Sequence, residues 1–156
     1  MKPAKTILKE IARVFKNISL SKQRKLVKEI VDAQSVDVVG YGRSGYVAKS
    51  FVIRLKHLGI KKGKDLLIVI SGSGKTKESL RILNKSRRSR IICVTMDKKS
   101  PIAKKSDLVI VLSAKHSRQP LRSLFEQSAL IYFDSVIMLL MKKLKVSEKK
   151  MWERHE

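Results

Sequence analysis

Four short apolar runs, none showing the polar alternation of a strand with one wet face, constrain this chain more than any other feature. They are Val36-Asp37-Val38-Val39-Gly40, Leu66 to Ile70, Ile91 to Thr95 and Leu108 to Leu112. Strands of that kind are buried on both faces, the habit of a parallel sheet, and parallel strands need crossovers. Segments 44 to 58 and 76 to 86 supply helices between the first three runs, and Ser100-Pro101 opens a short helix before Ile102 to Lys105. Upstream, residues 4 to 18 place Ile7, Leu8, Ile11, Val14, Phe15 and Ile18 at helical spacing. Residues 21 to 34 do the same with Leu26, Val27, Ile30 and Val31, with Ser21 as the predicted N-cap. The expectation is an α/β chain with an open parallel sheet of about four to five strands flanked by helices. It forms a single domain over 1–156, with N-terminal helices in 1–35, a βαβ core in 36–122 and a C-terminal helix and tail in 123–156.

The predicted last helix, about 123 to 144, is apolar on nearly every side between Ala129 and Met141. Asp134 is the one charge inside that stretch, on nearly the same face as Glu126, and reads as a buried partner or an interface contact. A helix apolar all round belongs in a core, in a subunit interface or in both, which points to a homo-oligomer, a tetramer or dimer. The run from 129 to 141 is shorter than the roughly 20 residues that span a bilayer. With no apolar leader behind Met1-Lys2-Pro3, the expectation is a soluble, cytoplasmic protein with no membrane partner. A lone Cys93 excludes an internal disulfide and a four-thiolate metal site, and reads as a small buried hydrophobe.

Two glycine turns end the first two strands. Gly40-Tyr41-Gly42-Arg43-Ser44-Gly45 satisfies the G-x-G-x-x-G pattern of dinucleotide sites. Such sites also need an acid about 20 residues on to hold the ribose hydroxyls. Residues 56 to 64 contain none, and Asp65 falls at the wrong end of the next strand, so NAD is disfavoured and an NADP phosphate is a weak alternative. The second turn, Ser71-Gly72-Ser73-Gly74-Lys75-Thr76, ends like a P-loop, but the position that should carry the first P-loop glycine is Val69. What it offers is small residues, three hydroxyls and a helix N-terminus, which together make a phosphate cradle.

Charge is the compositional anomaly. The chain carries 36 Lys+Arg against 13 Asp+Glu, a formal net charge of +23. Seven Lys+Arg and no acid lie between Asp37 and Asp65, and five more lie between Glu78 and Asp97, flanking both turns. That field steers anions, and incidental nucleic-acid affinity is a secondary expectation. Aromatic residues at 5% and the lack of glycine in 1–35 disfavour stacking platforms and a helix-turn-helix.

Gly42-Arg43-Ser44-Gly45, Arg54-Leu55-Lys56-His57-Leu58-Gly59, the serine turn through Thr76, Gln119-Pro120, Ser123-Leu124-Phe125-Glu126-Gln127 and the terminal Arg154-His155 resemble the sugar isomerase (SIS) domain. Within it the likeness is to 6-phospho-3-hexuloisomerases, which partner hexulose-phosphate synthase in the ribulose monophosphate pathway. The resemblance implies a flavodoxin-like three-layer sandwich, a tetramer with sites at subunit boundaries, and no cofactor or metal. It implies sugar-phosphate contacts from Ser44, Ser71, Ser73 and Thr76 with Arg43 beside them. It makes Glu126 the catalytic glutamate and His155 a histidine reaching a neighbouring site, while His57 matches a family position of less defined role.

Moving a carbonyl between C3 and C2 of a ketohexose phosphate needs removal of an α proton, an enediolate and return of the proton. A partly buried carboxylate in the first turn of an apolar helix suits both transfers. The chain also departs from the family. Only five residues separate Gly59 from Asp65, where the family has a further strand and pocket loop. Arg122 stands where glycine is usual, and the short tail after His155 predicts fraying. A non-catalytic sugar-phosphate-binding module is therefore the alternative function.

Overall fold

In the computed structural model, which describes residues 2–155, β2 (Leu66–Ile70) is buried at every position. Its neighbour β3 (Arg90–Thr95) is buried at all but its first residue. The outer strands β1 (Val36–Gly40) and β4 (Leu108–Val111) are only partly covered. The sheet order is β1-β2-β3-β4 and every pair is parallel, in register from Val36↔Leu66 through Leu66↔Arg90 to Ile92↔Leu108.

Alternate residues of these strands feed two different cores. Val36, Val38, Leu66, Ile68, Ile70, Ile92, Val94 and Ile110 face one side. There they meet α1 (Pro3–Lys16), α2 (Leu20–Asp32), α3 (Arg43–His57) and α6 (Ser123–Leu144). Leu67, Val69, Ile91 and Cys93 face the other side, against Leu83 of α4 (Lys77–Lys85) and Ile102 of α5 (Pro101–Lys104). The expected three-layer sandwich follows from that split.

The split also explains the topology. Because α3 and α4 cover opposite faces, direct steps from β1 to β2 and from β2 to β3 would have opposite hands, and crossovers are right-handed in nearly all known sheets. The chain avoids the wrong hand by first visiting the far edge of β1. Lys62 forms a single parallel bridge with Val36, the Val36 amide donates to the Lys61 carbonyl at 2.9 Å, and the Gly63 amide donates to Val36 at 3.3 Å. The segment between Gly59 and Asp65 is thus a fifth strand reduced to one bridge. With that stub counted, β1 and β2 flank the point where helices leave in opposite directions, which is where open α/β sheets bind ligands.

Two local expectations need correction, the cap of α2 and the length of the last apolar stretch. Ser19, not Ser21, caps α2, accepting from the Lys22 amide at 3.3 Å. The chain turns into the helix two residues earlier than predicted, so the hydroxyl that meets a free amide is that of Ser19. Within one chain, α6 is covered on one side. Leu124, Phe125, Ala129, Tyr132, Phe133, Val136 and Leu140 are buried against the sheet, α1, α2 and α3, while Leu130, Ile131, Met138 and Leu139 are exposed. Asp134 lies on that outer side and is exposed, so it is not a buried partner within the chain. Finally, the helical stretch Pro120–Leu144 is long and apolar enough to cross a bilayer by length and composition, but half of that window is buried inside the fold. Its apolarity serves the core.

Candidate functional site

The first glycine turn brings strand and helix into close contact. A Cβ on Gly40 would stand 2.5 Å from the Ser44 carbonyl oxygen, and one on Gly45 would stand 2.9 Å from that of Gly40. Gly42, at φ +57° and ψ −134°, makes the turn into α3 through a conformation that side chains avoid. These glycines serve backbone packing, which places Ser44, buried, in the first turn of α3 over the end of β1.

The serine turn is internally braced. Ser71 Oγ accepts from the Gly74 amide at 3.1 Å and shares a hydrogen bond with Thr76 Oγ1 at 2.9 Å, while Ser73 Oγ accepts from the Lys75 amide at 3.2 Å. Thr76 occupies the N-cap position of α4, yet its side chain caps nothing and turns to Ser71 instead. The first amides of α4 therefore remain open toward an anion. The floor behind the turn is tight, since a Cβ on Gly72 would meet Phe125 Cδ1 at 2.9 Å.

Opposite the turn, the chain enters α6 through an unusual bend. In the 3₁₀ turn Pro120–Arg122, Leu121 (φ 51°) and Arg122 (φ 63°) are both left-handed, at a cost of about 1–2 kcal/mol each for non-glycine residues. Arg122 thus holds the conformation that glycine would take without strain. The bend aims Glu126 at the serine turn across a cavity of about 180 Å³, which Ser44, Ser71, Ser73, Thr76 and Glu126 all line. Tyr41, Ile70, Gly72, Met96, Leu121, Arg122 and Phe125 complete its wall.

Glu126 is largely buried. Its side chain is 17% exposed, and its Oε2 atom is buried with no hydrogen-bond partner among the described residues. Burial pushes the carboxyl above the usual carboxylate range, opposed by its own backbone N–H and by Arg43. Arg43 Nε lies 4.0 Å from Glu126 Oε2, while its Nη1 donates to Ser123 Oγ at 2.8 Å, and that hydroxyl donates to the Pro120 carbonyl at 2.8 Å. Arg43 therefore ties the start of α3 to the entry of α6 from outside the cavity lining.

The two histidines are elsewhere in the same chain. As α3 is 15 residues long, Arg43 and His57 are roughly 20 Å apart along it. His57 shares a second cavity, of about 380 Å³, with His155, Arg54 and Trp152. The His57 and His155 rings are 5.1 Å apart between centroids, and Trp152 is 5.1 Å from His155. The tail is docked, not frayed. Residues Glu148–Glu153 form α7, and Arg154 Nη1 donates to the His57 carbonyl at 3.1 Å. His57 is 4% exposed; burial first, then Arg54, His155 and Lys56, hold its pKa below the ordinary value. Arg54 Nη1 stands 3.2 Å from His57 Nδ1, the geometry of a neutral ring accepting there.

Some parts of the site carried no signal in the sequence. Glu10 of α1 is buried and accepts from Ser117 Oγ (2.7 Å), the Arg118 amide (2.8 Å) and Gln119 Nε2 (2.9 Å), which anchors the strap leading to the Pro120–Arg122 bend. Arg13 adds a bond to the His116 carbonyl. Nothing local marks such a contact between residues more than 100 positions apart. Tyr41, beside the first glycine turn, and Phe125, beside Glu126, had a usable signal in their neighbours. Cys93 is buried and its thiol is pushed up to about 12 by burial, which suits a packing role. Among the described residues, no group of three His, Cys, Asp or Glu is placed to hold a metal ion.

The SIS domain description matches residues 59–133. A 3-hexulose-6-phosphate isomerase from Methanocaldococcus jannaschii is 35% identical over 145 residues, covering 83% of this chain and 80% of the relative. The chain belongs to the SIS domain family. A second SIS relative, the 3-hexulose-6-phosphate isomerase of Bacillus subtilis, is 31% identical over 173 positions, covering 96% of this chain and 93% of the relative. That alignment is longer than the chain itself, so the relative carries residues absent here. A solved structure from Methanococcus jannaschii, described as inferring 3-hexulose-6-phosphate isomerase function, superposes with a TM-score of 0.90 at 31% identity, over 100% of this chain and 98% of that one. The four-stranded parallel sheet thus belongs with the SIS-domain folds.

Proposed function

We propose that the protein is an intramolecular isomerase that interconverts 3-hexulose 6-phosphate and fructose 6-phosphate. The observation that carries this reading is the buried Oε2 of Glu126, which has no hydrogen-bond partner among the described residues and is held across a small cavity from a braced phosphate cradle. Ser44, Ser73, Thr76 and the amides at the start of α4 bind the phosphate, and Ser71 orders the turn. Glu126 removes the proton from C2 of the hexulose, whose carbonyl is at C3. The resulting cis-enediolate is stabilised by the cationic rim and turn amides; the O2 hydroxyl proton passes to O3, and Glu126 returns the carbon-bound proton to C3 as the carbonyl forms at C2. Arg43 keeps the carboxylate oriented.

His57 and His155 enter this reading through a second copy of the chain, because within one protomer they lie far from Glu126. The exposed Leu130, Ile131, Met138 and Leu139 of α6, with Tyr46 and Ile53 on the adjoining α3, form the face on which that copy packs. Sedimentation should then give an oligomer, and Met138→Glu should shift it toward monomer.

The reading is tested by a coupled assay for fructose 6-phosphate formation. Wild type should turn over and Glu126→Gln should lose about 10²–10⁴ of the rate, with thermal stabilisation by fructose 6-phosphate retained. The reduction of the edge strand to the Lys62 bridge favours a second reading, a sugar-phosphate-binding module without catalysis. It predicts the same stabilisation with no turnover in either direction.

A further inference from the structure

The cavity in front of Glu126 does not end at Arg122. Gly72, Ser73, Met96 and Arg122 also line a second cavity of about 360 Å³, which adds Lys75, Asp97 and Lys115. That one in turn shares Met96, Asp97 and Lys115 with a third, which adds Lys98, Lys99 and His116. The three form one groove that leaves the Glu126 site and crosses the C-terminal ends of β2, β3 and β4. Beyond Ser73 its only acid among the described residues is Asp97, set against Lys75, Arg122, Lys115, Lys98 and Lys99. Asp97 is ionised and already engaged. Its carboxylate accepts from the Lys99 amide at 2.9 Å, and that contact, with Lys115 and Lys75 nearby, outweighs burial and keeps its pKa low.

The spacing of the groove indicates what it can hold. The serine turn follows β2 and Lys115 follows β4, two strands away in a parallel ladder. Neighbouring strands lie about 4.8 Å apart, so the two anion positions are roughly 10 Å apart. An extended six-carbon sugar with a phosphate at each end has that reach. A pyrophosphate does not.

We propose that the Lys75–Arg122–Lys115 cavity is a second anion subsite, and that the protein binds hexose bisphosphates across it more tightly than hexose monophosphates. This rests on the reading of the serine turn as the cradle for the first phosphate. A bisphosphate seated in this way places its second phosphate where no monophosphate substrate reaches. It occupies the Glu126 cavity without being the substrate and acts as a competitive ligand.

Isothermal titration at low salt with fructose 6-phosphate, fructose 1,6-bisphosphate and pyrophosphate tests the proposal. The bisphosphate should bind about tenfold tighter than the monophosphate or better, as expected for one additional phosphate facing fixed cations. Lys115→Ala should reduce that advantage to about twofold or less and leave fructose 6-phosphate binding unchanged. Lys115→Glu should abolish it, and Asp97→Asn, which keeps the acceptor for the Lys99 amide, should enlarge it. Equal affinity for the two sugars, an advantage that survives Lys115→Glu, or pyrophosphate binding as tightly as the bisphosphate would overturn the proposal. If the bisphosphate binds in a Lys115-dependent way but fructose 6-phosphate does not bind, the isomerase reading fails and the subsite stands. If neither sugar binds, both fail.

Discussion

Arg43 Nε sits 4.0 Å from the Oε2 atom of Glu126, close enough to orient the carboxylate but without a hydrogen bond that would neutralise it. The arginine spends its stronger contact, 2.8 Å, on Ser123. Burial raises the Glu126 carboxyl above the ordinary carboxylate range, and its own backbone N–H and Arg43 oppose that rise. Activity should fall as pH drops through that raised value. Arg43→Ala removes an opposing influence and should move the acid limb of the pH–rate profile to higher pH. It should also lower kcat/KM roughly tenfold, the worth of one charge-assisted contact. Arg43→Lys should restore part of the limb position but not the bond to Ser123.

Glu126→Gln should make the folded state more stable at neutral pH. A carboxyl whose folded pKa is raised contributes stability below its unfolded pKa and loses it as pH rises through the folded value. The amide carries no such cost. Thermal melts of the two proteins should therefore diverge above about pH 5 and converge in acid. Catalytic sites commonly hold strain or charge that costs stability.

Much of the architecture was legible because it rests on local pattern. Short runs rich in apolar residues marked all four strands, and the glycines at 40 and 45 marked a turn where backbone must approach backbone. The serine turn was legible as a turn for the same reason, whereas Glu126 was singled out by the resemblance to SIS domains and not by local pattern. What escaped was set by distance along the chain. No periodicity reveals that Lys62 would touch Val36, that Glu10 would clamp residues 117–119, or that His57 would pair with His155 at the end of the molecule away from Glu126. What covers the outer side of α6 was not legible either, because apolar residues on a helix indicate burial without saying what supplies it.

Glu10 should behave as a structural anchor whose loss is felt at the site. Its three hydrogen bonds hold the carboxyl near a pKa of about 2, led by the Arg118 amide. A depressed carboxyl contributes stability that is complete above its ordinary pKa of 4.5 and is lost as pH falls from there toward 2. Glu10→Ala should cost about 1–3 kcal/mol, as for a buried charged hydrogen-bonding partner. It should also raise KM for the sugar phosphate by loosening the strap ahead of Arg122. Chemical denaturation and steady-state kinetics on the same variant read both effects.

The histidine pair should make the docked tail sensitive to acid. His57 is held below its ordinary pKa of 6.5, so stability is lost as pH falls from 6.5 through the folded value. Trp152, the chain's single tryptophan, stands beside His155 and reports the change directly. Its fluorescence should titrate below pH 6.5 in wild type, and the titration should shift or vanish in His57→Gln.

The central claim is that Glu126 removes a carbon-bound proton from a phosphorylated sugar. It is tested most directly by incubating fructose 6-phosphate with the protein in deuterium oxide and following the C3 proton by NMR. Wild type should exchange that proton with solvent, and Glu126→Gln should bind the sugar but leave it intact. Exchange at an undiminished rate in Glu126→Gln, or none in wild type with the sugar bound, would contradict the account.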